Sequence, residues 1–280
     1  MKTFNLDHFL FAGKSHRCQD FVLTKNTGSR FVVIADGCSG SEMTEIGSMV
    51  LAATCYSFLA SIDNIDIDNT DWLLSMFEKI IHSAHDHINQ WILPSHVLDS
   101  TLLICIETAA AFLVHVHGDG YILQERGGGL GWHVTKLSYI NSRPHYLSYR
   151  LDSKRQELYK KENGDNENTF QMETISAKSR NCSPLKYDCS FTGIYAKENF
   201  NTILIASDGI GSFKTPENQT PDENNLFASI LGFKSFKGQF LERRMRKILG
   251  DFKKDRMDNY DDISIAGFTV DPRGEDEMQD

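Results

Sequence analysis

Three apolar runs in this chain end alike, in an acid and a glycine: Phe31-Val32-Val33-Ile34-Ala35-Asp36-Gly37, Val114-His115-Val116-His117-Gly118-Asp119-Gly120 and Ile203-Leu204-Ile205-Ala206-Ser207-Asp208-Gly209. A further acidic element, Asp261-Asp262, stands just before a last apolar run, 263–270. One Asp-Gly after a strand is ordinarily a tight turn, because glycine tolerates positive φ. Several on apolar strands, with an acid pair at the start of another, can deliver their carboxylates to one rim. Carboxylates gathered in this way repel one another and titrate high unless a cation neutralises them. Ligation by oxygen alone, without Cys or His, suits a hard divalent ion, Mg²⁺ or Mn²⁺. A two-ion site of this kind lowers the pKa of a bound water and orients it for in-line attack on phosphorus. Little covalent chemistry is then left to the protein, and no nucleophilic Ser or Cys is required.

The elements that must hold these acids can be read from hydrophobic pattern. The runs 31–35, 102–106, 111–116 and 202–206 are short and continuously apolar, as strands covered on both faces are. Between the first and second lie two helical patterns. One places Ile46, Met49, Val50, Ala53, Tyr56 and Ala60 at helical spacing; the other, with Thr70 as N-cap, places Leu73, Phe77, Ile80, Ile81, Ala84, Ile88 and Trp91, and Pro94 stops it. Leu241, Met245, Ile248, Leu249 and Phe252 mark a third. The elements are segregated rather than alternating βαβ, which predicts an α+β fold. Residues 151–190, with a charged and amide-rich centre, read as a polar hairpin or flap, and 272–280 as an acidic, disordered tail following a single domain over 1–271.

Composition narrows the function further. Of 280 residues 40% are hydrophobic and 24% charged, with a net charge of −9 from 29 basic and 38 acidic side chains. That balance argues against a nucleic-acid binder, which carries a basic stripe. No run approaches the ~20 apolar residues of a membrane span, and 1–14 does not read as a signal peptide. The expectation is a soluble, cytoplasmic protein that binds neither nucleic acid nor membrane. The six cysteines form no CxxC pair and suit reduced thiols. His82, His85 and His87 fall on or beside the polar face of the second helix, and His115 and His117 read as structural. Gly127-Gly128-Gly129 reads as a hairpin loop, because no Lys-Ser/Thr follows it.

Taken in order, these segments resemble the type 2C (PPM) metal-dependent protein phosphatases, and within them the divergent bacterial branch. The opening motif is matched by Gly13-Lys14-Ser15-His16-Arg17-Cys18-Gln19-Asp20, and the Asp-Gly motif by Ala35-Asp36-Gly37-Cys38-Ser39-Gly40-Ser41 leading to Glu45-Ile46-Gly47. Asp99-Ser100-Thr101 is similar to Gly-(Ser/Thr)-Thr, Gly118-Asp119-Gly120 to Gly-Asp-Ser, Ser207-Asp208-Gly209 to Ser-Asp-Gly, and Asp261-Asp262-Ile263-Ser264 to Asp-Asn-x-(Ser/Thr). The resemblance implies a four-layer α-β-β-α sandwich with two central, mainly antiparallel sheets. It implies two core Mn²⁺ or Mg²⁺ ions and a third, looser one. Asp36 would bridge the core ions, Asp208 and Asp261 would complete the first site, and the Gly37 carbonyl would join the second. Asp20 would act on the ions directly or through water, and Asp119 would help to hold the third. Asp261 is preferred over Asp262 because it takes the first place of Asp-Asn. The implied substrate is a protein carrying phosphoserine or phosphothreonine, set by a partner Ser/Thr kinase.

Two positions depart from the family pattern. Ser15 stands where many members carry a phosphate-binding Arg, so that role would pass to Lys14, His16 and Arg17. Cys38 stands where some members have a His assigned as general acid. These departures leave room for a second reading, a catalytically weak pseudophosphatase that binds or senses a partner. A phosphotransferase with an aspartyl nucleophile would need alternating βα units and a DxD motif, which the chain lacks.

Overall fold

The computed structural model describes residues 2–14, 17–62, 71–163, 170–185 and 189–271. His16, Thr70 and the 272–280 tail lie outside the described residues. In chain order the first strands are β1 (Asn5–Phe11), β2 (Asp20–Lys25) and β3 (Arg30–Asp36), followed by helices α1 (Thr44–Ala60) and α2 (Asp71–Gln90). Next come β4 (Leu102–Glu107), β5 (Ala111–His117), β6 (Gly120–Arg126) and β7 (Trp132–Tyr139), then α3 (Ser153–Asn163), β8 (Phe170–Ser176) and β9 (Arg180–Pro184). The chain continues through β10 (Ser190–Ala196), β11 (Phe200–Ala206), β12 (Phe213–Lys214), α4 (Glu223–Leu231), α5 (Phe240–Lys254), β13 (Asp258–Asn259) and β14 (Ile263–Thr269).

The strands form a five-stranded sheet, ordered β10-β5-β4-β3-β2, and a seven-stranded sheet, ordered β1-β14-β11-β6-β7-β8-β9, with β12 and β13 as a small ladder beside them. All these pairings are antiparallel. The two sheets face each other across a core of Val32, Ile34, Leu103 and Val114 from one and Ile122, Ile203, Ile205 and Phe268 from the other. The outer face of the smaller sheet, through Phe31, Val33 and Ile104, packs on Leu51, Cys55, Phe77, Ile80 and Ile81 of α1 and α2. The outer face of the larger sheet, through Leu123, Leu204 and Ile265, packs on Phe227, Leu241 and Met245 of α4 and α5. Alternate residues of β3 thus enter different cores, which is why its sequence is continuously apolar. Each fully buried aliphatic side chain contributes about 1.5–3 kcal/mol. The result is the α-β-β-α sandwich expected.

Asp7 on β1 closes the larger sheet onto its helices. Its Oδ2 accepts from the backbone N of Leu241 (2.7 Å) and of Glu242 (3.3 Å), capping the free amides of α5 from across the chain. The described residues contain no helix long and apolar enough to cross a membrane.

Two expectations are adjusted. Of the α1 positions at helical spacing, Val50 is buried and Ile46, Tyr56 and Ala60 pack against the core, whereas Met49 and Ala53 are exposed and the buried set also takes in Thr44, Gly47, Ser48, Leu51, Ala52, Thr54, Cys55 and Leu59. The helix is wedged between the sheet, α2 and the turn at Ser95–Leu98, and small residues allow the approach: a Cβ on Gly47 would stand 1.6 Å from the Val97 carbonyl oxygen. The second adjustment concerns 151–190. That segment does contain a hairpin, β8–β9, but β8 is hydrogen-bonded to β7 within the larger sheet and its ends are buried through Phe170 and Ile175. Phe170 packs 4.8 Å from the Tyr139 ring. We expect Phe170→Ala to cost about 3–5 kcal/mol of unfolding free energy in a denaturant titration; a cost below about 1 kcal/mol would mean that β8 is a detachable flap.

Candidate active site

The acid-glycine endings converge because the strands that carry them share one end of the sandwich. Asp36 ends β3 directly opposite Asp20, which begins β2. Its turn is fixed by backbone bonds: Thr101 N to Asp36 O (2.8 Å), Gly37 N to Gln19 O (3.1 Å) and Cys38 N to Asp99 O (2.8 Å). Asp119 lies in the turn joining β5 of one sheet to β6 of the other, flanked by Gly118 at φ 97° and Gly120 at φ 139°, values that few residues other than glycine adopt. From the larger sheet come Asp208, directly after β11, and Asp261, shortly before β14. Gly209 lets these two loops touch, since a Cβ there would meet the Asp262 carbonyl oxygen at 1.7 Å.

Asp36, Gly37, Asp119, Asp208 and Asp261 line one cavity of about 850 Å³. Protein surrounds the acids on their other sides, and burial is the main force on each. It raises Asp36 well above the ordinary carboxylate range, reinforced by the charges of Asp20, Asp208, Asp119 and Asp261. Asp119 is raised well above that range by burial and by Asp208. Burial raises Asp208 as well, and burial together with Asp208 brings Asp261 to about 6. Asp20 does not line the cavity. It sits buried behind Asp36, raised by burial to about 7, and accepts a 2.7 Å bond from the Ser207 hydroxyl, which ties the two sheets together. Among the described residues no three His, Cys, Asp or Glu side chains close into a ready-made ligand cage. The chemistry of the donors nevertheless fits a divalent cation: oxygen-only ligands from both sheets, whose charges oppose one another until a positive ion enters.

Asp262 has a different task from Asp261. Its carboxylate accepts from the backbone N of Gly13 (2.7 Å) and of Gln19 (2.5 Å), holding those two residues together, while Asp261 faces the cavity. Of the phosphate-binding candidates, Lys14 pairs with Asp258 (3.1 Å) and Arg17 with Glu45 (2.8 Å), and neither lines the cavity. The cations that do are Lys136 and Lys214, which the sequence reading passed over because no local motif contains them. Tyr146 lines the cavity next to Cys38; burial pushes its hydroxyl pKa up, so it can donate a hydrogen bond but does not ionise. His115 bonds Thr192 (2.7 Å) and stacks on Phe77, the structural place expected of it.

Sequence reading also missed a buried ion pair beside the Asp36 turn. Asp99 accepts both Arg155 Nη2 contacts (2.8 and 2.9 Å), the Ser41 hydroxyl (2.8 Å) and the Ser148 hydroxyl (2.5 Å). Arg155 belongs to α3, so the pair joins that helix to the loop that follows Asp36. Removing one partner leaves an uncompensated buried charge. We expect Arg155→Met to cost about 3 kcal/mol, and Asp99→Asn with Arg155→Met to cost less than Arg155→Met alone, by chemical denaturation.

The raised carboxylates make a second expectation. Asp20 and Asp261, near 7 and 6 in the fold, return to about 4 when the chain unfolds. Between about pH 4 and 7 the folded chain therefore holds protons that the unfolded chain releases, and stability falls as pH rises. In EDTA the melting temperature should drop from pH 5 to pH 8, and Mn²⁺ should flatten or reverse the slope. A rising slope in EDTA would contradict this electrostatic reading.

The protein phosphatase 2C family model matches residues 12–140, the stretch that includes Asp20, Asp36 and Asp119. A comparison with curated proteins finds no match. Among solved structures, the serine/threonine phosphatase of S. agalactiae superposes with a TM-score of 0.58 at 16% identity, covering 96% of this chain and 100% of its own. The serine/threonine phosphatase Stp1 from Staphylococcus aureus gives 0.58 at 11% identity, over 97% of this chain and 96% of its own. A bacterial serine phosphatase gives 0.59 at 11% identity, over 96% and 98%. At such identities the structures speak for the fold. The segment from 12 to 140 is thus similar to the protein phosphatase 2C family, and nearly the whole chain shares the fold of these bacterial serine/threonine phosphatases.

Proposed function

We propose that the chain hydrolyses phosphoserine and phosphothreonine monoesters in proteins, using two divalent ions, Mn²⁺ or Mg²⁺, in the carboxylate cavity. The observation that carries this reading is the set of four acids, Asp36, Asp119, Asp208 and Asp261, brought from both sheets to one solvent-open cavity with their pKa values raised. Asp36 would be shared by both ions, Asp208 and Asp261 would complete one site and the Gly37 carbonyl the other. Asp119 would hold a third ion loosely. The chemistry such ions supply when bound is Lewis acidity, which lowers the pKa of a bound water and offsets charge on the phosphoryl group. The protein's part is to hold the acids rigid: Asp20 braces Asp36, the Ser207 hydroxyl braces Asp20, and Asp262 holds Gly13 and Gln19. A phosphoprotein substrate implies a Ser/Thr kinase that supplies it.

A second reading, a phosphoprotein-binding module with weak turnover, draws on Cys38, which lines the cavity at a place suited to a proton donor. The retained acid set speaks for catalysis, because a module that only binds has no need of four repelling carboxylates.

The test is hydrolysis of a phosphopeptide and of a small aryl phosphate with Mn²⁺ or Mg²⁺. Activity should vanish in EDTA and survive thiol blockers. Asp36→Asn should lower turnover by about 10²–10³ or more, the range for one preorganised electrostatic group. Asp119→Ala should keep tight binding of two Mn²⁺ by calorimetry while losing turnover, chiefly on the phosphopeptide. Full activity without metal, or its loss on alkylating Cys38 alone, would overturn the assignment.

A further inference from the structure

The cavity has a cationic wall as well as an acidic one. Lys136 on β7 and Lys214 on β12 line it beside Asp208 and Asp261. Their positions follow from the sheet. Lys136 pairs across the ladder with Tyr121, and Tyr121 pairs with Ala206, two residues before Asp208. Cross-strand partners share a face, so the Lys136 side chain, the Tyr121 ring and the base of the Asp208 loop form one row. Lys136 Nζ lies 5.7 Å from the Tyr121 ring centroid, and its charge is felt at Asp208, whose carboxylate it favours. Lys214 follows the Asp208–Gly211 turn closely, with its Nζ 5.9 Å from the Tyr260 ring centroid.

Neither lysine is consumed by a short ion pair. Lys136 meets Glu223 at 3.5 Å, with 28% of its side chain exposed. Lys214 makes no ion pair among the described residues. The neighbouring cations are otherwise engaged, Lys14 by Asp258 and Arg17 by Glu45. A doubly charged oxyanion entering this acidic cavity needs positive charge on more than one side, and an ammonium is a compact point charge with three donors to offer it.

We propose that Lys136 and Lys214 form the anion-binding wall of this site, donating to the phosphoryl oxygens of a phosphate monoester and of the phosphate released from it. The proposal rests on the phosphatase reading and names the residues by which the site would recognise its ligand.

The test uses Mn²⁺-loaded protein and two probes, inorganic phosphate and a small aryl phosphate. Phosphate binding is measured by calorimetry and as competitive inhibition of aryl phosphate hydrolysis. Lys136→Met and Lys214→Met should each weaken phosphate binding and raise KM together, on the order of tenfold for a charge-assisted bond, with a smaller change in kcat. Lys→Arg at each position should retain most of the binding, and Lys178→Met, on the distant β8–β9 turn, should change nothing. If the Lys136→Met, Lys214→Met double variant matches the parent in phosphate inhibition and KM, the proposal falls. It falls equally if Met and Arg variants lose Mn²⁺ affinity alike, since the lysines would then be structural. A parent that binds phosphate through these lysines without turning over the ester would retain the proposal and sink the phosphatase reading. A parent that does neither would sink both.

Discussion

Repulsion among Asp36, Asp119, Asp208 and Asp261 would push the acidic end of the sandwich apart if the loops carrying them were free to move. Bonds around the acids oppose that movement at several points. Asp36 is held through its own backbone by Thr101, and Gly37 by Gln19. The Ser207 hydroxyl donates to Asp20 and accepts from Ser264 N (3.0 Å), so one side chain joins β2 of the smaller sheet to the loops of the larger. Asp262 holds Gly13 and Gln19 through their backbone amides. Charge is therefore concentrated by a scaffold stiff enough to keep it concentrated, which is the condition for preorganised electrostatics.

The cores explain why that scaffold is stiff. β3, β4, β5, β11 and β14 are sandwiched between a helix layer and the opposite sheet, and their buried side chains leave almost no solvent-facing position. A loop that leaves such a strand starts from a fixed point. The same strands are the ones whose apolar runs were legible from residue types alone, and the acids at their ends were legible with them. α2 and α5 could be read for the related reason that one face of each is buried and the other wet.

What escaped the sequence reading depends on distance along the chain. Arg155 and Asp99 are separated by four strands, β4 to β7, and a short helical turn at Leu147–Leu151, and nothing local to either announces the other. Lys136 sits in an ordinary alternating strand, and Lys214 in a two-residue ladder. Their relevance comes only from the cavity they share with Asp208. Adjacency in sequence suggested Lys14 and Arg17 for contact with phosphate, whereas folding gives each an acidic partner outside the cavity. The preference for Asp261 over Asp262 began as a matter of motif order, and the backbone bonds of Asp262 supply a physical reason for it. The buried side of α1 was legible only in part, Met49 and Ala53 being exposed, because a helix packed on several sides carries no single apolar stripe.

The position of β14 has a consequence for how the protein comes into being. It lies between β1 and β11, and Asp261 stands at its threshold, so the first strand of the larger sheet waits for one of the last. At about 5–20 residues per second, a ribosome makes Asp20 tens of seconds before Asp261. Through that interval β1 has no strand to pair with, and the cavity lacks a side. The nascent chain must keep an open strand edge from pairing with other chains, and its carboxylate cavity is incomplete until translation has passed residue 269. The cavity is thereby among the last features of the fold to close.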